Sequence, residues 1–373
     1  MTVQTLDPLA VLNQDATRPA TEAANLIDRL SREHWLSREM WVKVLSGFVL
    51  EDRLYAAMLA RRTARKQFGN GIYMRALIEF SNICKNNCYY CGIRAGNLEV
   101  ARYRLDQEEI VAAARQADTL GYRTIVLQSG DDPHYTRDLL VSIVKAIRAE
   151  LPEMAMTLSV GERPREVYEA FFRAGADRYL LRQETSSPLH YTKLHPVRMS
   201  MHTRHAALHD LKEIGYQTGA GFMVGSPGQR PEELAEDYLF IQDLRPQMIG
   251  VGPFLPHHAT PFKDEPPGSL DLTLFCLSLL RLLDPAVNLP ATTAMGTIHP
   301  TGREQAILSG ANVLMPNLTP TANRPLYTLY DNKICLDDDA DTCQGCLSGR
   351  LRNIGYEMSA SRGDNYANIT VMK

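Results

Sequence analysis

"YMRALIEFSNICKNNCYYCG", residues 73–92, carries a β-rich run directly into cysteines at positions 84, 88 and 91. The run at 73–81 predicts a strand, and the cysteines fall in the loop that leaves it. The same succession of β-rich run, loop and amphipathic helix recurs down the chain. Further strands are predicted at 123–130, 155–161, 177–184, 218–225, 248–256, 288–296 and 312–317. Between them lie helical patterns such as "QEEIVAAARQADTLG" and "MHTRHAALHDLKEIG". Several end in glycine, which helix C-termini favour. "CLSGRLRNIGYEM", 346–358, supplies a last helix. Eight units over ~280 residues predict an α/β protein whose parallel sheet closes as a (βα)8 TIM-type barrel. A doubly wound open sheet is the alternative. In a barrel, chemistry gathers where strands end and loops begin, so polar residues at those ends become candidates.

The remaining sequence narrows the class. Of 373 residues, 45% are apolar, enough for one large core. Net charge is −3 with acids and bases mixed, which points away from a nucleic-acid partner. No uncharged apolar run reaches the roughly 18–20 residues needed to span a bilayer, and the first residues lack a secretory pattern. Seven cysteines, an odd number, cluster mostly in two segments, unlike a disulfide framework. A cytoplasmic location is expected. Residues 1–68 read as an N-terminal helical cap, with Leu26, Leu30, Trp35, Leu36 and Trp41 on its apolar faces. The barrel is assigned to 69–358, including a cysteine segment at 335–346, and 359–373 is a C-terminal tail.

Cys84, Cys88 and Cys91 form C-x3-C-x2-C. Three thiolates on one loop can hold three irons of a 4Fe–4S cube, whose usual complement is four cysteines, and leave one iron open. A zinc knuckle with a distant fourth ligand, or thiols that merely pack, is the competing reading, although zinc sites favour paired C-x2-C units. With Tyr90 just before the last cysteine, the spacing resembles the signature of the radical S-adenosylmethionine (SAM) superfamily. That resemblance implies a 4Fe–4S cluster that chelates SAM and cleaves it reductively to a 5′-deoxyadenosyl radical.

Other strand ends carry candidates for SAM. Gln128, Ser129 and Gly130 follow the second strand, where the superfamily more often has Gly-Gly-Glu. Arg178, Arg182 and Glu184 alternate at period two and are expected to share the barrel lumen, where charges need partners or ligands. Glu184 is placed to accept hydrogen bonds from SAM, and Arg204, early in the next helix, to grip a carboxylate. An internal Arg–Glu pair is the structural alternative. Met223 is a candidate for packing on adenine, or simply core. His257 and His258 read as a loop pair pointing different ways, and Arg303 and Glu304 as surface capping or pairing residues. Cys276 reads as a core thiol. Cys335, Cys343 and Cys346, C-x7-C-x2-C, are candidates for a second iron–sulfur cluster, with zinc or an adventitious site as the alternative.

Taken in order, several segments resemble the HydE family of FeFe-hydrogenase maturases. They include "YRLDQEEIV", "TIVLQSGDDP", "ADRYLLRQET", "GYQTGAGFMVGSPGQ", "GVGPFLPH", "PATTAMGTIHPTGRE" and "GANVLMPNLTP". The resemblance implies action on an organometallic iron–cysteine precursor during assembly of the H-cluster di-iron subsite. It implies two partner maturases, a tyrosine-cleaving radical SAM enzyme and a scaffold GTPase. It assigns Cys84, Cys88 and Cys91 to the cluster and Tyr90, Gln128, Ser129, Glu184, Arg204 and Met223 to the SAM site. It places Thr157, Arg178, Arg182, Thr292, Thr293 and Tyr327 around a polar, anion-binding substrate cavity. Its variable second cluster corresponds to the C-terminal cysteines. Gln183 departs from the histidine expected there. Biotin synthase-like and methylornithine synthase-like enzymes, acting on small organic substrates, are the runners-up. An iron–sulfur carrier without enzymatic activity is a third reading.

Overall fold

A computed structural model describes residues 7–336 and 340–367, with backbone alone for 340–343. The core is a ring of parallel strands. Ala76–Ser81, Thr124–Ser129, Ala155–Ser159, Arg178–Leu180, Gln217–Ala220 and Met248–Ile249 pair side by side in that order. Parallel bridges then run from Met248 to Asn288, from Pro290 to Val313 and from Leu77 to Asn317. Val313–Leu314 pairs with Gly71–Met74, the lower part of the first stave. The ring therefore closes, and the open sheet is excluded.

Most staves are buried along nearly their whole length, as sheets covered on both faces require. Their helices form the outer layer and are capped locally. Asp106 and Glu109 make a reciprocal capping box on Gln107–Thr119, and Ser200 Oγ accepts from Thr203 N–H at the start of Met201–Ile214. Glycines 175 and 215 adopt left-handed conformations just past the helices they end.

Two local expectations change. The predicted strand 288–296 contributes only single bridges at Asn288 and Pro290, and Thr293–Ile298 is a helix. Pro290 has no N–H to extend a ladder, and the turn at Thr292 starts the helix over the barrel mouth. The last helix begins earlier, at Ala340, and ends at Asn353. It is followed by a short strand, Glu357–Ser359, on the outer edge of Gly71–Tyr73.

Helices Glu22–Glu33, Arg38–Ser46 and Leu50–Phe68 pack on the barrel's flank against Pro231–Leu244 and Leu270–Leu283. Trp41 is fully buried, stacks on Tyr238 at 4.1 Å, and donates its indole N–H to Gln242 at 2.8 Å. The N-terminal helices thus share one hydrophobic core with the barrel. Residues 362–365 fold under the opposite end and close its floor. Among the described residues no helix is long and apolar enough to cross a membrane.

Candidate active site

The cysteine loop leaves Ser81 at the C-terminal end of its strand and is fastened from several sides. Gly130 N–H donates to the Ser81 carbonyl at 3.0 Å, and Lys85 N–H to the Asp131 carbonyl at 2.9 Å. Asp132, fully buried, accepts from Ser81 Oγ at 2.7 Å and pairs with Arg104 at 2.8 Å. Arg102 donates to the carbonyls of Asn82, Ile93, Arg94 and Asn97. Gly130 is required by close approach, because a Cβ there would lie 2.2 Å from the Ile83 carbonyl oxygen and 2.8 Å from Cys84 Cβ. "QSGDDP" therefore acts first as the clamp on the cysteine loop.

The three sulfurs share one confined neighbourhood. Burial pushes the Cys84 thiol up, and it accepts a weak hydrogen bond from Asp131 N–H at 3.4 Å. Burial carries Cys88 up to about 12, while Arg204 opposes the rise. Cys91 is raised further still by burial and by repulsion from Cys88 and Cys84. Thiolates crowded in this way are stable only beside compensating positive charge. The arrangement fits an iron–sulfur cluster that draws charge from all three.

Beneath the loop the lumen opens into a cavity of about 250 Å³. Cys91, Tyr90, Gln128, Glu184 and Met223 line it, together with Thr157, Arg182, Thr292 and Thr293. Glu184 holds a left-handed backbone, φ 66°, rare for a residue with a side chain and a marker of functional constraint. It is fixed by its N–H to the Gly221 carbonyl at 3.0 Å and by Met223 N–H to its own carbonyl at 3.2 Å. Its Oε2 is buried without a hydrogen bond, and the Arg182 guanidinium stands 3.1 Å away as an ion pair. Thr157 and Thr292 also present buried hydroxyls without partners. A polar ligand would satisfy these groups.

Four expected residues lie elsewhere. Arg178 does not line the cavity. It is fully buried at the barrel floor, donating to Asp364 at 2.7 Å, to the Arg362 carbonyl at 2.8 Å and to Thr124 at 3.1 Å. Its expected partner was a ligand; the C-terminal segment takes that place. Ser129 turns its hydroxyl back to the Gly130 carbonyl at 2.7 Å. Arg204 donates to Glu162 and to the Arg182 carbonyl, behind the wall and near Cys88. Tyr327 lies behind Gln128, whose amide donates to its hydroxyl at 3.2 Å.

The C-terminal cysteines divide. Cys335 lines the cavity with φ 63°, and Cys346 is exposed. Both lie close enough to Arg350 to raise its pKa, although its ion pair with Glu304 is the larger cause. The Cys343 side chain lies outside the described residues. His257 and His258 do not diverge as expected. Their rings stack at 4.3 Å, and His258 Nδ1 meets Asp331 at 2.7 Å. Ala259 N–H donates to His257 Nδ1, which leaves that ring's proton on Nε2, so the group remains a hydrogen-bonded loop pair.

Sequence reasoning missed a second set of charges, apart from Arg303, which it placed on the surface. Arg75, Glu79, Arg303 and Lys333 all face the cavity. Glu79 and Lys333 form a buried ion pair at 2.7 Å, and Asn317 also donates to Glu79 at 2.8 Å. Arg75 and Arg303 keep buried guanidinium nitrogens without hydrogen-bond partners. Arg303 and Glu304 are thus interior residues, not surface ones. The signal for Arg75 and Glu79 was present: with Leu77 they follow period two inside an otherwise apolar strand.

Comparison with known proteins agrees with this geometry. Residues 78–241 match the model of the radical SAM superfamily. The FeFe hydrogenase maturase subunit HydE of Thermotoga maritima is 46% identical over 333 residues, covering 88% of this chain and 94% of that protein. The chain belongs to the HydE family. Family membership makes it a radical SAM enzyme that uses a 4Fe–4S cluster and SAM. Methylornithine synthase, PylB, superposes with a TM-score of 0.75 at 25% identity, over 92% of this chain and 99% of that one. The maturase HydG from Carboxydothermus hydrogenoformans shares the fold, with a TM-score of 0.76 at 21% identity over 94% of this chain and 82% of its own.

Proposed function

We propose that the chain serves FeFe-hydrogenase maturation by reductive cleavage of SAM and action on a small, anionic iron–cysteine complex. Cys84, Cys88 and Cys91 hold the cluster. Tyr90, Gln128, Glu184 and Met223 form the SAM side of the cavity, with Ser129 and Arg204 supporting it from behind. When bound, the cluster and SAM supply one electron and a 5′-deoxyadenosyl radical. The protein binds, orients and excludes water. Glu184 accepts from the SAM ammonium, and Thr157, Arg182, Thr292 and Thr293 hold the second molecule below it. Arg178 and Tyr327 stiffen the walls without touching it. A tyrosine-cleaving radical enzyme supplies the precursor and a scaffold GTPase receives the product. Cys335 and Cys346 both stand near Arg350, and with Cys343 they are the candidate ligands of an optional second cluster.

The observation that carries the substrate class is the charge count inside the cavity. Lys333 cancels Glu79, and Arg182 answers Glu184. Arg75 and Arg303 remain, with unsatisfied donors. A zwitterionic amino acid needs one cation and one free acid, whereas a carbonyl- and cyanide-bearing iron complex needs surplus cations. Anaerobic reconstitution with iron and sulfide, followed by EPR with and without SAM, tests the first half. A 4Fe–4S signal that shifts with SAM and yields 5′-deoxyadenosine, both lost in Cys88→Ala, supports the reading. A signal indifferent to SAM refutes it. Consumption of a synthetic iron–cysteine complex, and not of a free amino acid, tests the second half.

A further inference from the structure

The proposed reaction consumes an electron that must reach the cysteine loop from outside. The surface beside Cys88 has a marked local charge. Lys193 and Arg198 are exposed in residues 185–209, and Lys85 is exposed in residues 82–98 with Arg94 half-buried beside it. Neither stretch holds an aspartate or glutamate, and Arg204, in the first, is largely buried and paired with Glu162. The chain as a whole carries −3, so this is a local asymmetry. The fold brings the two stretches together. Tyr89 N–H donates to the Leu194 carbonyl at 2.9 Å, Arg198 donates to the Lys85 carbonyl, and Met199 Sδ lies 3.8 Å from Cys88 Sγ.

Helix Pro188–Leu194 turns His190, Tyr191 and Leu194 inward. Leu189 and Lys193, one turn apart, face outward. Leu189 is 76% exposed and Val197, at 102%, is fully so. Lys85 is partly neutralised by Asp131 at 3.2 Å. Neither Lys193 nor Arg198 has an ion-pair partner among the described residues. Exposed apolar side chains ringed by free cations contribute nothing to the barrel's own packing. Val197 and Arg198 immediately precede Met199, whose sulfur touches Cys88, so this patch is a very short path from solvent to a cluster thiol.

We propose that this face docks an acidic one-electron carrier protein, an inference that rests on the radical SAM reading above. One electron leaves the reduced carrier, which is oxidised by one, and arrives at the site held by the three cysteines. No atom moves with it. Opposite charge steers the encounter, while Leu189 and Val197 give the contact a desolvated centre.

The test uses the reconstituted full-length chain and an acidic flavodoxin as probe. Lys193→Glu/Val197→Asp reverses the patch without touching the proposed cluster or SAM residues. Lys145→Glu, exposed on helix Arg137–Glu150, reverses a charge elsewhere. Calorimetry gives the flavodoxin Kd at two salt concentrations. 5′-Deoxyadenosine formation is followed with reduced flavodoxin and, separately, with dithionite. The double variant should weaken flavodoxin binding about tenfold or more, and wild-type binding should weaken with salt. Flavodoxin-driven turnover should fall while dithionite-driven turnover stays unchanged. Undetectable wild-type binding, an unchanged Kd in the double variant, or an equal loss in Lys145→Glu would overturn the proposal. No 5′-deoxyadenosine from the wild type with dithionite would refute the radical reading itself, and this inference with it.

Discussion

Replacing Glu184 by glutamine keeps the side chain's length and the left-handed backbone and removes one negative charge from the cavity wall. Its Oε2 is buried and ion-paired with Arg182 at 3.1 Å but makes no hydrogen bond, so the carboxylate has capacity to accept from a further donor. If that donor is the SAM ammonium, the variant loses a charge-assisted hydrogen bond worth about 1.5–3 kcal/mol. That corresponds to a rise of roughly 10- to 150-fold in the SAM Kd, toward the lower end because the amide keeps one acceptor oxygen. Calorimetric titration of SAM into the anaerobically reconstituted enzyme measures it. Thermal unfolding of the ligand-free protein should barely change, since the backbone conformation is retained. A Kd within about twofold of wild type would refute the reasoning and leave Glu184 as the partner of Arg182. Arg182→Met separates the two roles. If Glu184 acts only by positioning Arg182, that variant reproduces the whole loss, whereas direct contact predicts a smaller one.

Three further outcomes follow from the same geometry. Gly130→Ala drives a Cβ into the Ile83 carbonyl and Cys84, backbone and ligand that cannot rotate away; iron bound per chain after reconstitution should drop by about half or more. Lys333→Met strands the buried Glu79 carboxylate and should cost about 3–5 kcal/mol in denaturant unfolding, most of it regained in Lys333→Met/Glu79→Leu. A loss below ~1 kcal/mol would show that the pair does not stabilise the fold. His195 is buried, its Nδ1 bonded to the Tyr191 carbonyl at 3.1 Å and its Nε2 to the Tyr90 hydroxyl at 3.3 Å, and burial lowers its pKa to about 3. An unfolded imidazole titrates near 6.5, so between pH 6.5 and 3 the unfolded chain binds the extra proton. Stability is complete above that window and declines as pH falls through it, by about 1.4 kcal/mol at pH 5.5. Denaturant midpoints at pH 7.5 and 5.5 should show the decline, with a smaller one in His195→Gln.

The barrel and the cysteine loop were legible in the sequence because both are local patterns. Strand and helix periodicities span a few residues, and C-x3-C-x2-C lies within one loop, so chain order alone carries the information. Glu184 was found for the same reason, as a charge at a strand end. Its strained φ, which marks it as constrained, appears only when Gly221 and Phe222 pair with it. Arg178 shows the limit. Period two correctly turned it into the lumen, but height along the axis decides whether a lumen residue meets ligand or floor, and the floor is built by Asp364, 186 residues away. Lys333 and Glu79, 254 residues apart, are likewise invisible as a pair until the barrel closes. Sequence by itself determined which chemistry the chain carries, since thiolate spacing follows from covalent reach. Only the tertiary structure decided which charges remain free inside the cavity, because neutralisation there depends on partners brought together from distant parts of the chain.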